Sequence, residues 1–217
     1  MPSDLLDALE EPSPSRQVLA DGAVLLRGFV RNLEDELLAE IERIAASAPF
    51  RQMVTRSGHT MSVTMTSCGP LGWVSDRRGY RYVPDDPDTS KPWPAMPNSF
   101  RQLATTAAAQ AGFDGFVPDA CLINRYEPGT RLSLHQDRDE QHLDAPIVSV
   151  SLGLPATFLF GGLHRTDPTQ RVRLVSGDVV AWGGPARLAF HGVLPLPEGK
   201  HPLTGRCRIN LTFRQAG

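Results

Sequence analysis

Eight short strand-like segments following two amphipathic helices predict a mainly β protein with helices, a double-stranded β-helix (jelly roll) with the N-terminal helices packed outside it. Turn residues support this class. From Asp119 onward Gly, Pro and Asp break the chain at short intervals. The last segment supports it too. In Arg206 to Arg214 the even positions are polar and the odd ones are Cys, Ile, Leu and Phe, as expected of a strand with one apolar face.

In chain order, residues 1–16 hold three prolines among polar groups and are expected to form a loose leader. Residues 23–29 read as a short apolar strand. Asn32 is placed to cap a helix over 33–48, with Asp35 at the capping-box position and Leu37, Leu38, Ile41, Ile44 and Ala45 on one face. Pro49 ends it. Residues 53–66 alternate around Ser57-Gly58 as a hairpin does. Residues 69–97 carry Trp73, Tyr80, Tyr82 and Trp93 among six prolines, which predicts a long aromatic binding loop. A second helix opens at Asn98 or Ser99 and stops near Gly112. Strands then follow near 121–127, 131–137, 147–153, 157–161, 171–175, 178–183, 187–193 and 206–214. No linker divides the chain, so residues 17–217 are expected to form one domain.

The composition is that of an ordinary globular protein, 41% hydrophobic and 21% charged over 217 residues. No apolar run approaches a membrane span, and the acidic N-terminus lacks the charge of a secretory signal. The three cysteines form no C-x-x-C, which argues against a disulfide framework. A cytoplasmic monomer is the expectation. Net charge is −2, which alone argues against nucleic acid, yet Arg51, Arg56, Arg77, Arg78 and Arg81 cluster and allow a local basic face.

The chemistry rests on two groups of residues. His135, Asp137 and His191 offer two imidazoles and a carboxylate, a set that binds one face of Fe(II) and leaves positions open for a co-substrate and oxygen. A zinc hydrolase uses the same donor types, so the triad alone leaves both readings open. The polar face of the last strand presents Arg208, Asn210 and Arg214. If that face looks into the barrel, buried guanidinium groups need anions, and no spare acid is evident near them in the sequence. A dicarboxylic acid would answer the need. If the face looks into water, this is a plain edge strand. Asn124 and Tyr126 alternate on the 121–127 strand and can donate to the same carboxylate.

The stretches PFRQMVT (49–55), KPWPAMP (91–97), PDACLINRYEPG (118–129), LSLHQDRDE (132–140), PIVSVSLGLPATFLFGG (146–162), GDVVAWGG (177–184) and RINLTFRQAG (208–217) together resemble the AlkB family of Fe(II)- and 2-oxoglutarate-dependent nucleic-acid dealkylases, closest to its bacterial members. The resemblance implies a jelly-roll core at about 119–217 and a nucleotide-recognition lid at about 50–98. It implies His135, Asp137 and His191 as iron ligands. Arg208 and Tyr126 would hold the distal carboxylate of 2-oxoglutarate, with Asn124, Asn210 and Arg214 completing the site. Trp73 and His135 would sandwich the damaged base, Tyr80 would touch the backbone, and Asp139 and Arg165 would face the base edge. His59 stands where close relatives tend to carry Tyr, and Arg131 where they carry Lys. The implied reaction is oxidative N-demethylation of 1-methyladenine- or 3-methylcytosine-type lesions in alkylated DNA or RNA, consuming O2 and releasing formaldehyde. An oxygenase acting on a protein or small molecule is the enzymatic alternative, and a catalytically idle binding module is the other.

Overall fold

The computed structural model describes residues 15–217. Sixteen strands, many short, and two α-helices follow in the order β1 (Ser15–Ala20), β2 (Ala23–Arg27), α1 (Glu34–Ser47), β3 (Arg51–Val54), β4 (Thr60–Cys68), β5 (Gly72–Asp76), β6 (Gly79–Val83), β7 (Asp85–Asp86), β8 (Lys91–Pro92), α2 (Asn98–Ala111), β9 (Ala120–Tyr126), β10 (Leu132–His135), β11 (Ile147–Gly153), β12 (Ala156–Phe160), β13 (Gln170–Leu174), β14 (Val179–Trp182), β15 (His191–Val193) and β16 (Arg208–Arg214). The expected leader thus lies outside the described residues as far as 14, and its last two residues, Ser15 and Arg16, already belong to β1.

Two antiparallel sheets face each other. The larger runs β1-β2-β14-β11-β16-β9-β4-β3 and the smaller β10-β15-β12-β13. The strand period of two divides the core. One face of the larger sheet sends Val148, Val150, Ile209, Leu211 and Phe213 against Leu37, Ile41, Phe100 and Leu103 of the helices. Its other face joins Phe158, Phe160, Val172 and Val193 of the smaller sheet through Leu25, Ile147, Val180 and Trp182. The helices therefore lie on one outer face, as the jelly roll predicts. β16 is not an edge strand. It is flanked by β9 along its whole length and by β11 from Arg208 to Phe213.

Three local expectations are corrected. Asn32 does not cap α1, since Arg31–Leu33 form a 3-10 turn and the cap position is Leu33, with no side-chain bond. Glu34, Asp35 and Glu36 in the first turn complement the positive end of the helix dipole instead. The 69–97 segment is not simply a loop. β5 pairs with β6 and β7 with β8, two small hairpins of which the first carries Trp73, Tyr80 and Tyr82; the six prolines of the segment hid the alternation of such short strands. The strand expected at 187–193 forms only at His191–Val193. Before it, a 3-10 turn at Gly184–Ala186 sends Arg187 inward.

Candidate active site

His135 and His191 are cross-strand partners on β10 and β15. Direct antiparallel opposition brings their rings to 4.3 Å between centroids. Gly192 lets the two strands approach so closely, because a Cβ there would stand 2.7 Å from the Leu132 carbonyl oxygen. Asp137 lies just beyond the end of β10, not on the strand as expected, and returns over the pair. One donor atom from each of the three residues falls within 4.8 Å of the others. His135 Nε2 stands 3.5 Å from Asp137 Oδ1, and His191 Nε2 stands 3.7 Å from Oδ2.

The tautomers follow from hydrogen bonding. Nδ1 of His135 lies 2.9 Å from the Ser133 carbonyl oxygen, and Nδ1 of His191 lies 3.0 Å from that of Ala189. A carbonyl can only accept, so each neutral ring carries its proton on Nδ1 and turns the lone pair of Nε2 toward Asp137. Burial, with the charge of His135, pushes His191 down to about 4, which keeps it a neutral donor. Burial also favours neutral His135, yet the Asp137 carboxylate outweighs it and raises the pKa. For Asp137, burial opposes ionisation, but Arg214 foremost, with both histidines, holds the carboxyl well below its usual range. Two neutral imidazoles and one anion are the donors that Fe(II) takes.

Arg208 and Tyr126 are cross-strand partners on β16 and β9, and the guanidinium carbon sits 5.0 Å over the phenol ring. Arg208 is only 2% exposed. Its Nη2 donates to Ser151 Oγ at 3.0 Å, while Nε and Nη1 have no partner. Burial lowers its pKa, against the pull of Tyr126, and burial also raises that of Tyr126. A buried cation with two free N–H directions is a mould for a carboxylate. It fits one end of 2-oxoglutarate. Asn124 and Asn210 are the next cross-strand pair, both buried. Asn210 Nδ2 is already committed to Ser149 Oγ and the Val150 carbonyl, each at 2.8 Å.

Arg214 corrects the expectation that no acid is near. Its Nη2 donates to Asp137 Oδ2 at 2.6 Å and its Nε reaches Glu140 Oε1 at 3.2 Å. Burial would lower the Arg214 pKa, but Asp137, Tyr82 and Glu140 raise it. Its position therefore fixes the Asp137 carboxylate and leaves Arg214 already paired. Sequence reasoning missed Glu140, Arg187 and Tyr82, which complete this buried group. The available signal was Glu140 itself, three residues past Asp137, together with the rule that a buried guanidinium needs an anion.

Above the site, Trp73 of β5 stacks on Tyr80 of β6, with centroids 5.6 Å apart and planes at 16°. Trp73 Nε1 donates to Asp139 Oδ2 at 3.0 Å. Tyr80 is 47% exposed. Arg165, on the loop after β12, lies over the Phe190 ring at 5.4 Å, one residue from His191. Among the clustered arginines, Arg51 pairs with Asp86 and Asp88, and Arg78 and Arg81 pair with Asp76. Arg56 and Arg77 are exposed on two hairpin turns that meet, a Cβ on Gly58 being 3.9 Å from Arg77 Nη2.

Known proteins give this geometry a context. Residues 22–214 match the profile of the 2OG-Fe(II) oxygenase superfamily. The chain is 60% identical over 213 residues to the alpha-ketoglutarate-dependent dioxygenase AlkB of Escherichia coli (strain K12), covering 98% of this chain and 99% of that one. It is 43% identical over 234 residues to the DNA N(6)-methyladenine demethylase ALKBH1D of Arabidopsis thaliana, covering 94% of this chain but 51% of that protein. The solved structure of OsALKBH1 superposes with a TM-score of 0.82 at 30% identity, over 93% of this chain and 100% of that one.

Proposed function

Starting from a chain that belongs to the 2OG-Fe(II) oxygenase superfamily and, within it, to the AlkB dioxygenases, we propose that it repairs alkylated nucleic acid by oxidative N-demethylation. The cofactor is Fe(II), with 2-oxoglutarate and O2 as co-substrates. The zinc-hydrolase and idle-module alternatives fall with that membership. One observation carries the assignment of the site. Arg208 is a buried cation with two unpartnered nitrogens in the same barrel as a His-Asp-His donor set.

His135, Asp137 and His191 would hold the iron, through Nε2 of each ring and the Asp137 carboxylate. Arg208 would take the distal carboxylate of 2-oxoglutarate, with Tyr126 and Asn124 beside it. When bound, the iron and its co-substrates supply the oxidising power that removes hydrogen from an N-methyl group and yields a hydroxymethyl that sheds formaldehyde. The chain's residues position and exclude. No protein general base is needed. Trp73 would stack on a base turned out of its helix, against His135 on the other side. Tyr80 would touch the backbone. Asp139 suits a base made cationic by alkylation, and Arg165 the base edge. Arg56 and Arg77 would meet phosphates. The division into a lid at about 50–98 and a catalytic core at about 119–217 belongs to this reading.

Formaldehyde release from an oligonucleotide carrying 1-methyladenine tests it. The reading expects iron- and 2-oxoglutarate-dependent release, abolished in His135→Ala. No release from methylated DNA or RNA, with oxidation of a peptide or small molecule instead, would reject the nucleic-acid substrate while leaving the dioxygenase chemistry.

A further inference from the structure

Beneath the lid, Asp137 belongs to a closed group of polar side chains whose other members the reaction does not use. Tyr82, on β6, donates its hydroxyl to Glu140 Oε1 at 2.7 Å. That oxygen also lies 3.2 Å from Arg214 Nε, and Arg214 in turn holds Asp137 Oδ2. Arg187 closes the ring. Its Nη2 donates to Glu140 Oε2 at 3.1 Å and its Nη1 to the backbone carbonyl of Asp137 at 2.7 Å.

We propose that Tyr82 and Glu140 are positioning residues that tie the recognition lid to the iron ligand Asp137 through the Tyr82–Glu140 hydrogen bond, the Glu140–Arg214 ion pair and the Arg214–Asp137 hydrogen bonds. The inference rests on the assignment of Asp137 as a ligand given above. Arg214 occupies Oδ2 of Asp137 and leaves Oδ1 facing His135 Nε2 at 3.5 Å. Where Arg214 stands depends on Glu140, its second anion. Two guanidiniums here face two carboxylates, so charge is balanced only while the Glu140 carboxylate is in place. Tyr82 fixes the Glu140 oxygen that Arg214 uses, and Tyr82 moves with the β5–β6 hairpin because it pairs directly with Trp73. Seating of the lid and orientation of the ligand carboxylate are therefore one event. A lid residue thus helps to set the metal site without touching the metal.

The coupling is reciprocal by thermodynamic necessity: a lid that favours metal binding is itself favoured by metal. The test uses Co(II) as the probe, with no nucleic acid and no turnover. Hydrogen exchange and Co(II) titration are measured on the wild type, Tyr82→Phe and Glu140→Gln. In the wild type, Co(II) should slow exchange of the amides at 79–83. Tyr82→Phe removes one hydroxyl. It should abolish that slowing and weaken Co(II) binding by up to roughly tenfold, the low end for partners that orient a ligand. Glu140→Gln leaves two cations for one anion and should weaken it further. Lid exchange indifferent to Co(II) in the wild type, or unchanged Co(II) affinity in Tyr82→Phe, overturns the proposal. A role confined to packing would loosen the lid in Tyr82→Phe without altering Co(II) affinity. His135→Ala separates the premises. If it still binds Co(II) as the wild type does, the ligand assignment fails; if it does not while Tyr82→Phe is indifferent, only the coupling fails.

Discussion

Replacing Arg208 by methionine should separate the two consequences of burying a cation without an anion. The side chain is 2% exposed, with Nε and Nη1 unpartnered. Burying a charge costs several kcal/mol, and only a paired anion returns it. Methionine keeps most of the length and removes the charge. The variant forfeits the attraction to the Tyr126 ring, about 0.5–2 kcal/mol, and the bond to Ser151, about 1.5–3 kcal/mol. Against the desolvation relieved, the ligand-free variant should lie between unchanged and about 2 kcal/mol more stable, a rise of up to roughly 8 °C in Tm. Co-substrate binding should move oppositely. A desolvated carboxylate–guanidinium pair is worth about 2–5 kcal/mol on truncation, so the Kd for 2-oxoglutarate should rise about 30- to 4000-fold. Calorimetric titration with Mn(II) in place of iron measures the affinity without turnover, and thermal scans measure the rest. At about 100 times the wild-type Kd, 2-oxoglutarate should stabilise the wild type by about 2.7 kcal/mol, roughly 5–10 °C, and the variant by less than about 1 kcal/mol, roughly 3 °C at most. Wild-type affinity in Arg208→Met, or a ligand-free Tm lowered by more than about 10 °C, would refute the reasoning.

Other outcomes follow from the same geometry. Gly192→Ala should cost about 1–3 kcal/mol and weaken Co(II) binding, because the new Cβ meets the Leu132 carbonyl and parts β10 from β15; denaturant melts and Co(II) titration check both. Phe213→Ala, at a fully buried ring set edge-on to Phe100, should lose about 3–5 kcal/mol in urea unfolding. Arg56→Ala with Arg77→Ala should flatten the salt dependence of single-strand binding, read by fluorescence anisotropy. The log–log slope should shrink by about 0.7 for each phosphate left without its cation. In metal-free protein, the depressed Asp137 carboxyl contributes stability that is full above the ordinary carboxylate range. That stability is lost only as pH falls through the lower folded value. The acid-unfolding curves of wild type and Asp137→Asn should therefore differ at neutral pH and converge at low pH.

The chain's local patterns carried most of the architecture. Periods of two and near four set which residues form strands and helices, and the alternation in Arg208–Arg214 already separated the face that packs from the face that carries charge. The residue types of the triad, with the arginines that follow, named the chemistry. What a linear pattern cannot hold is the pairing of distant strands and the length of each strand's end. Only the folded chain decided that β16 is central and its cations buried, that His135 opposes His191, and that Asp137 reaches over them from beyond β10. It alone decided that Arg214 is paired with Asp137 and Glu140 while Arg208 meets no carboxylate. Both are arginines on one face of one strand. Glu140, 74 positions before Arg214, meets one and not the other because the segment after β10 returns to the end of β16, where Gln141 N donates to the Ala216 carbonyl. Charge compensation is a property of proximity in space, and sequence separation says nothing about it.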